Sequence, residues 1–392
     1  MQILTVDIGT GTQDIYLYDS RLDIENGLKL VLPSPTMIIR RKLQTATRAG
    51  LPVLLTGFTM GGGPNQWAAE DHIRAGLSVF ATPDAARSFN DDLQAVEQMG
   101  VQVIHQDEIP ALPPGTLRLD LYDFDLSSIA SAFSAFGVGL ENLEAVAVAV
   151  FDHGNAPRDY SDRQYRFDYL DKRILSHNRL SAFAYLSEDI PPIMTRLEAV
   201  ARSFQGQSHI LTKETPLVVM DTAPAAVLGA TFDPYVSSLA RVLIANVGNF
   251  HTLAFRLGPS GIEGVFEHHT GLLDQKKLDG LLLALADGSL THQDVFKDHG
   301  HGALVYGTEA LPIPPREGRE GIGPGLVVTG PRRNMMRGSR LKPYFAVPFG
   351  DMMLNGCFGL LAAAADLLPG LSGPIQQSLR EAGRGIPPWE VG

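Results

Sequence analysis

One cysteine, Cys357, stands in 392 residues. A lone thiol closes no intramolecular disulfide and cannot supply a cysteine-ligated zinc or iron–sulfur centre within one chain. The simplest setting for such a chain is a reducing one, the cytoplasm. Basic charge is also short, with 32 Lys and Arg against 43 Asp and Glu and a formal charge of -11. A general nucleic-acid binder displays a basic face, so nucleic acid is not an expected partner, and an anionic ligand needs a local site. Long apolar runs are missing. The most apolar later segments, 281–286 and 360–365, fall far below the ~20 residues that cross a bilayer and fit buried helices. The chain enters a β-prone run at once, with Asp7 inside any would-be apolar core, so neither a signal peptide nor a membrane partner is expected. What remains is an ordinary globular composition, 44% hydrophobic and 19% charged, in a chain long enough for two domains.

The most informative stretch is residues 3–18, where two β-prone runs flank Gly9-Thr10-Gly11-Thr12, with Gln13 opening the second run. Backbone N–H groups and hydroxyls at such a tip can converge on an anion, and Asp7 stands at its mouth. No Gly-Lys-Ser/Thr follows, and the segment after the glycines reads as a strand, so this is not a Walker loop. A turn whose Gly and Thr serve conformation alone is the plain alternative.

The rest of the first half alternates strands with helices. A third strand at 27–32 precedes a helix from Pro35 to Gly50; an apolar run at 51–58 breaks at Gly61-Gly62-Gly63-Pro64. Helices are expected at 66–75, 84–99 and 126–136, and short strands at 77–81, 101–105, 117–121 and 145–151. The last of these ends in Asp152-His153-Gly154-Asn155. This alternation predicts an α/β layered domain. Residues 157–172 read as a loop excursion and 180–203 as one long helix.

Strands at 217–220, 242–247, 251–257 and 262–266, with a small-residue helix at 222–229, begin a second α/β half. Helices follow at 278–286 and 292–296, then a Pro/Gly/charge-rich loop at 312–324. A strand at 325–329 ends in Gly330-Pro331-Arg332-Arg333-Asn334; an alanine-rich helix covers 352–368, and a loosely ordered tail starts at Gly370. Residues 4–13 laid over 243–252 match strand to strand, Gly9 to Gly248 and Asp7 to Asn246. The parsimonious reading is two similar halves facing each other across a cleft, each contributing a hairpin.

In this order the pieces resemble the actin, heat-shock ATPase and sugar-kinase superfamily. Residues 3–18 look like its first phosphate motif, 245–254 its second, 219–229 and 354–364 its connecting helices, and 327–334 its adenosine motif. The resemblance implies an α/β protein of two RNase H-like domains with mixed central sheets flanking a nucleotide cleft. Residues 1–205 would carry the first hairpin, 206–375 the second hairpin and adenosine-like loop, and 376–392 a tail. It implies ATP as ligand, with Mg²⁺ held by Asp7 through water. Binding would fall to Gly9, Thr10, Gly11, Thr12 and Gln13, to Asn246, Gly248, Asn249, His251 and Thr252, and to Gly330, Pro331, Arg332, Arg333 and Asn334. Asn246 replaces an acidic residue common in the superfamily, Pro331 replaces a second glycine, and roughly 44–140 falls outside the pattern. More narrowly, the chain resembles an uncharacterised family labelled as pyruvate formate-lyase activating enzymes. That label implies a radical S-adenosylmethionine enzyme with three cluster cysteines, which a chain with one cysteine lacks.

Further candidates follow from residue chemistry. Asp152 and His153 end a buried strand, where they could orient a nucleophile and shuttle a proton, or simply start an Asx turn. Gly61–Gly63 could bind an anion or pack tightly as a loop. His268, His269, His299 and His301 have metal-ligand chemistry but no acidic or cysteine partners at fixed spacing, and are expected as loop or structural histidines. Arg332, Arg333, Arg337, Arg340 and Lys342 could hold phosphate or form a solvated face. Cys357 reads as a core residue. The expected function is a Mg²⁺-dependent ATPase or phosphotransferase, with a small-molecule phosphoryl acceptor or a protein partner. The alternatives are a nucleotide-gated regulator of another enzyme with little turnover, and a sensor of a phosphorylated ligand other than a nucleotide.

Overall fold

The computed structural model describes residues 1–307, 309–313, 325–381, 383 and 385–391. The chain opens as an antiparallel meander of β1 (Gln2–Ile8), β2 (Thr12–Asp19) and β3 (Leu28–Pro33). It then leaves this sheet to build another from β4 (Val53–Gly57), β5 (Val79–Ala81), β6 (Gln102–Val103) and β7 (Leu117–Leu121), all parallel, in the order β6-β5-β4-β7. This inserted unit has its own core, with Leu43, Val53, Leu55, Ala69, Val79 and Leu121 in it. It accounts for most of the stretch that the superfamily pattern leaves out.

β8 (Ala145–Val150), β9 (Ala184–Leu186) and β10 (Leu217–Asp221) return to the first sheet, giving the order β3-β2-β1-β8-β10-β9. β8 is Ala-Val repeated and wholly buried, as a parallel strand covered on both faces must be. The second half repeats the design. β11 (Val242–Val247), β12 (His251–Gly258), β13 (Gly261–His269), β14 (Gly302–Val305), β15 (Leu326–Thr329) and β16 (Tyr344–Phe345) form a sheet ordered β14-β13-β12-β11-β15-β16. In both sheets a three-stranded antiparallel meander continues through its first strand into two parallel strands. These are two RNase H-like domains with mixed central sheets.

Two helices join the domains, Thr222–Ala230 and Asn355–Leu367, and both are built from small residues for a geometric reason. A Cβ on Gly229 would lie 1.7 Å from the Asn355 carbonyl oxygen, and one on Gly359 would lie 1.9 Å from that of Ala225. The helix backbones touch, which any larger side chain would prevent. The second helix also covers β1 and β2, where Cys357, Phe358 and Leu361 pack with Ile3, Tyr16 and Tyr18.

Several local expectations are corrected. Residues 157–172 are mostly helix: Asp162–Ser176 starts after Ser161 and buries Arg166, Phe167, Leu170 and Ile174. Its buried stripe is hidden in sequence by charged neighbours and by Arg166 itself, an inward-facing charge. The long helix at 180–203 is instead a 3-10 turn at Leu180–Phe183, strand β9 and a helix at Thr195–Gln207, broken around Pro191 and Pro192. From Pro369 the chain is not a loose tail but a helix to Arg380, seated on the first sheet through Ile375 and Leu379. Tyr18 and Ser378 share a hydroxyl hydrogen bond of 2.7 Å there. Of the loop expected at 312–324, residues 314–324 lie outside the described residues. Among those described, no helix is long and apolar enough to cross a membrane.

Candidate functional site

The two hairpins share one turn. Gly9 N–H donates to the Thr12 carbonyl at 2.9 Å, and Gly248 N–H donates to that of His251 at 3.0 Å. The close return of the chain excludes a side chain at Gly248, whose Cβ would lie 2.6 Å from the His251 carbonyl oxygen. The tips meet: a Cβ on Gly11 would lie 2.9 Å from Asn249 Nδ2. Between and below them is a cleft of about 1320 Å³, lined by Asp7, Thr10, Thr12, Asn246, Asn249 and Gly330 among others.

Asp7 and Asp14 face each other as register partners on β1 and β2, and both line the cleft. Asp7 Oδ1 accepts from Thr222 Oγ1 at 2.5 Å, whereas Asp14 Oδ1 is buried with no hydrogen-bond partner. Burial pushes the Asp7 carboxyl up to about 7, against the Thr222 hydrogen bond and with some help from Asp221. Burial, then the Asp7 charge, pushes Asp14 up to about 8. Gly356 at the start of the second connecting helix makes room for this pair, since its Cβ would lie 1.9 Å from Asp7 Oδ2. Asp14 was absent from the residues expected at the site. Its signal is the symmetry of the hairpin, which sets an inward acid on each side of the tip.

Asp152 is buried and engaged by the backbone: its carboxylate accepts from the N–H groups of Gly154, Arg196 and Leu197, each at 2.9 Å. It thereby fixes the turn after β8 and the start of the Thr195–Gln207 helix, and it also lines the cleft. His153 is exposed on the cleft wall, its ring 6.2 Å from that of Phe151. Gly330, at φ 96, approaches Asn246 Oδ1 closely, where a Cβ would come within 2.5 Å. Pro331 also lines the cleft, while Arg332, Arg333 and Asn334 turn away from it into a short 3-10 segment. Gln13 Nε2 donates to the Pro33 carbonyl at 3.1 Å, and the buried Thr252 hydroxyl pairs with Thr270 at 2.9 Å, so neither side chain is on the cleft wall. Arg337, Arg340 and Lys342 are exposed. The Gly61–Gly63 loop lines the opposite wall, and Gly63, at φ 73, abuts Phe250, which in turn meets Trp67 with ring centroids 5.6 Å apart.

The histidines are distributed differently from expectation. His268 is buried with Nε2 3.2 Å from Asp298, and His299 is an exposed turn residue at φ 65. His251, His269 and His301, by contrast, converge on the cleft, with ligand nitrogens all within 4.8 Å of one another. Behind them is the buried Glu267, 2.7 Å from His251 Nδ1 and 2.6 Å from Arg166 Nε. Burial opposes the Glu267 charge, but Arg166, His301 and His251 outweigh it and hold the carboxyl well below its ordinary value. Burial pushes His301 down to about 3 and, with the nearby His251, His269 down to about 4. Arg166 is wholly buried; it also pairs with Asp221 at 2.8 Å and donates to the Asp152 carbonyl at 2.8 Å. Cys357 is sealed in the second connecting helix with Sγ 3.1 Å from the Asp14 carbonyl oxygen, and burial drives its thiol well up.

Two like-ordered sheets, each presenting a hairpin tip to one interdomain cleft, define a protein of the actin-like ATPase fold. The profile of the family described as "Putative pyruvate format-lyase activating enzyme (DUF1786)" matches residues 60–335, and the chain belongs to that family. Among solved structures, it is similar to the activator of the 2-hydroxyisocaproyl-CoA dehydratase from Clostridium difficile with bound ADPNP, at 9% identity and a TM-score of 0.32, covering 96% of each chain. It is also similar to the ethanolamine utilization protein EutJ from Carboxydothermus hydrogenoformans, at 10% identity and a TM-score of 0.31, covering 92% of this chain and 89% of that one. No curated protein matches it.

Proposed function

We propose that the protein binds a Mg²⁺–nucleoside triphosphate, ATP in the first instance, between its two hairpins, and hydrolyses it or transfers its terminal phosphoryl group as the domains close. The observation that carries this reading is the meeting of two turns of one design over a buried, uncompensated acid pair. Neither Asp7 nor Asp14 has an ion-pair partner among the described residues, and one Asp14 oxygen has no partner at all. Two such carboxylates fit a hard dication. Asp7, through water, and Asp14 would hold Mg²⁺, which when bound offsets the phosphate charge.

The remaining roles fall to the chain's own groups. The Thr10 and Thr12 hydroxyls and the backbone N–H groups of both tips would hold phosphate oxygens. His153 is exposed at the cleft wall, placed to hold or move a proton on its ring, while Asp152 accepts three backbone N–H groups. That engagement, with Asn246 in place of a carboxylate, favours a second reading: a nucleotide-gated regulator of another enzyme in the same compartment, the cytoplasm, with slow turnover. Isothermal titration with Mg-ATP tests the binding reading. Saturable heat that is lost in Asp7→Ala supports it; absence of heat and of any thermal shift with nucleoside triphosphates overturns it. Pull-downs with and without nucleotide separate the two readings, since a partner whose capture ignores nucleotide argues against a gated regulator.

A further inference from the structure

β12, β13 and β14 are adjacent antiparallel strands, and one end of this trio carries a histidine on each. His251 opens β12, His269 closes β13 as its direct register partner, and His301 immediately precedes β14. Their rings form a nearly equilateral triangle, with centroid separations of 5.0, 4.9 and 4.7 Å. All three line the cleft wall.

We propose that His251, His269 and His301 form a three-imidazole site for a borderline first-row dication, zinc by the chemistry of the donors, with an open coordination position towards the cleft. This site goes beyond the nucleotide reading and stands without it, because it uses imidazole side chains, not the tip backbone or the acid pair, and takes a different class of metal. Three neutral imidazoles suit zinc and its neighbours and do not suit Mg²⁺ or Ca²⁺, which take oxygen ligands.

The surroundings are those of a ligand set. Glu267 lies fully buried behind the triangle and hydrogen-bonds His251 Nδ1 at 2.7 Å. A carboxylate behind a histidine fixes its tautomer and turns the other ring nitrogen outward as a donor pair. The same Glu267 oxygen lies 3.6 Å from His301 Nδ1, a buried nitrogen with no hydrogen-bond partner. Arg166 Nε, 2.6 Å from the other Glu267 oxygen, holds that carboxylate in place. The His251 ring is backed on its other side by Phe151, 4.3 Å between centroids. Zinc–nitrogen bonds of about 2.0–2.1 Å set tetrahedral ligands roughly 3.3 Å apart. The candidate nitrogens already lie within 4.8 Å of one another, so a small inward adjustment of the rings is what binding would require. Among the described residues three donors converge here, so the fourth position is left to water or an anionic oxygen of whatever occupies the cleft.

The test uses the full-length protein stripped with chelator and returned to metal-free buffer containing excess Mg²⁺ and no nucleotide. Titration with Zn²⁺ is followed by calorimetry and elemental analysis, and Co²⁺ by its visible spectrum. One zinc per chain is expected, with the intense visible bands of low-coordinate cobalt. His269→Ala and His301→Ala should each weaken zinc by at least about 100-fold, since even outer partners of a ligand are worth 10–100-fold. His209→Ala, at an exposed histidine outside the cleft, should leave zinc affinity unchanged. Failure to retain zinc, a cobalt spectrum equal to that of the aqueous ion, or zinc affinity unaltered in His269→Ala overturns the proposal. The cobalt spectrum of the unmutated protein decides the question even if the variants fail to fold. A protein that binds zinc but no nucleotide, or the reverse, separates this site from the nucleotide reading.

Discussion

The acid pair under the first hairpin makes a prediction that runs against the usual behaviour of a protein with fewer bases than acids. Asp14 is pushed up to about 8 and Asp7 to about 7, against about 4 in an unfolded chain. The folded protein therefore holds protons that the unfolded chain has released, and linkage makes stability fall as pH rises. The stabilisation is full below pH ~4, declines between pH ~4 and ~8, and is gone above. For Asp14 alone, a displacement of roughly four pH units at ~1.4 kcal/mol each is on the order of 5 kcal/mol. Replacing it with asparagine, which keeps the shape and cannot ionise, should restore most of that at pH 8 and little at pH 5.

With an unfolding entropy of ~2.1 cal/mol/K per residue, 5 kcal/mol in a chain of this length is a rise in Tm of roughly 6 °C. The assay is thermal unfolding of wild type and Asp14→Asn in chelator, at pH 5 and pH 8. Adding Mg²⁺ to wild type at pH 8 should recover part of the same increment, because a bound dication stabilises the ionised pair. A variant whose gain is equal at the two pH values, or which loses stability at pH 8, refutes the assignment of an uncompensated buried acid.

Arg166→Met removes the cation shared by Glu267 and Asp221, and should cost about 3–5 kcal/mol in urea unfolding; a loss below ~1 kcal/mol would show that the buried network is dispensable. Asp152→Ala strips the acceptor from three backbone N–H groups and should cost about 2–4 kcal/mol; unchanged stability with lost turnover would instead give Asp152 a chemical role. Gly359→Ala drives a methyl into the Ala225 carbonyl and should cost ~1–3 kcal/mol or more, whereas Gly280→Ala, in open space on the Gln275–Asp287 helix, should gain about 0.5–1 kcal/mol. Equal effects of the two glycine changes in thermal unfolding would contradict the close helix crossing. Trp67→Ala should speed hydrogen exchange across 248–252 while leaving β11 protected; unaltered exchange at the tip would mean that the Trp67–Phe250 contact does not restrain it.

The two hairpins were legible in sequence because their constraint is local. A strand, a glycine at a forced position and a second strand occur twice, and the register pairs Ile8 with Gln13 and Val247 with Thr252 in the two turns. The connecting helices were legible from their small residues. The missing features, Asp14 apart, depend on pairing between distant segments. Nothing near His251 announces His269 or His301; only the β12–β13–β14 register assembles them. Asp14 reads as one more alternating residue until Asp7 is placed opposite it. The helix at Pro369–Arg380 contains Gly370, Gly373 and Pro374, and it forms because Ile375 and Leu379 gain a buried surface on β1 and β2 that outweighs their propensities. The strands of the inserted unit were visible one by one, but their assembly into a separate parallel sheet is a tertiary fact.

That inserted sheet and the Arg166 network hold the cleft at opposite sides with unequal strength. On one side Arg166, from a helix of the first half, is locked without exposure between Asp221 on β10 and Glu267 on β13. Separating those charges leaves buried ions unpaired, a penalty of about 3–5 kcal/mol. On the other side the inserted unit meets the second hairpin at Phe250, which touches Gly63 and Trp67, the latter an aromatic contact worth about 0.5–1.5 kcal/mol beyond the area it buries. The domains will therefore part first between Trp67 and Phe250, pivoting about the buried arginine and the touching helices Thr222–Ala230 and Asn355–Leu367. Such an opening would uncover the hairpin tips first, while Asp7, bonded to Thr222 and seated against Gly356, stays with the connecting helices at the pivot.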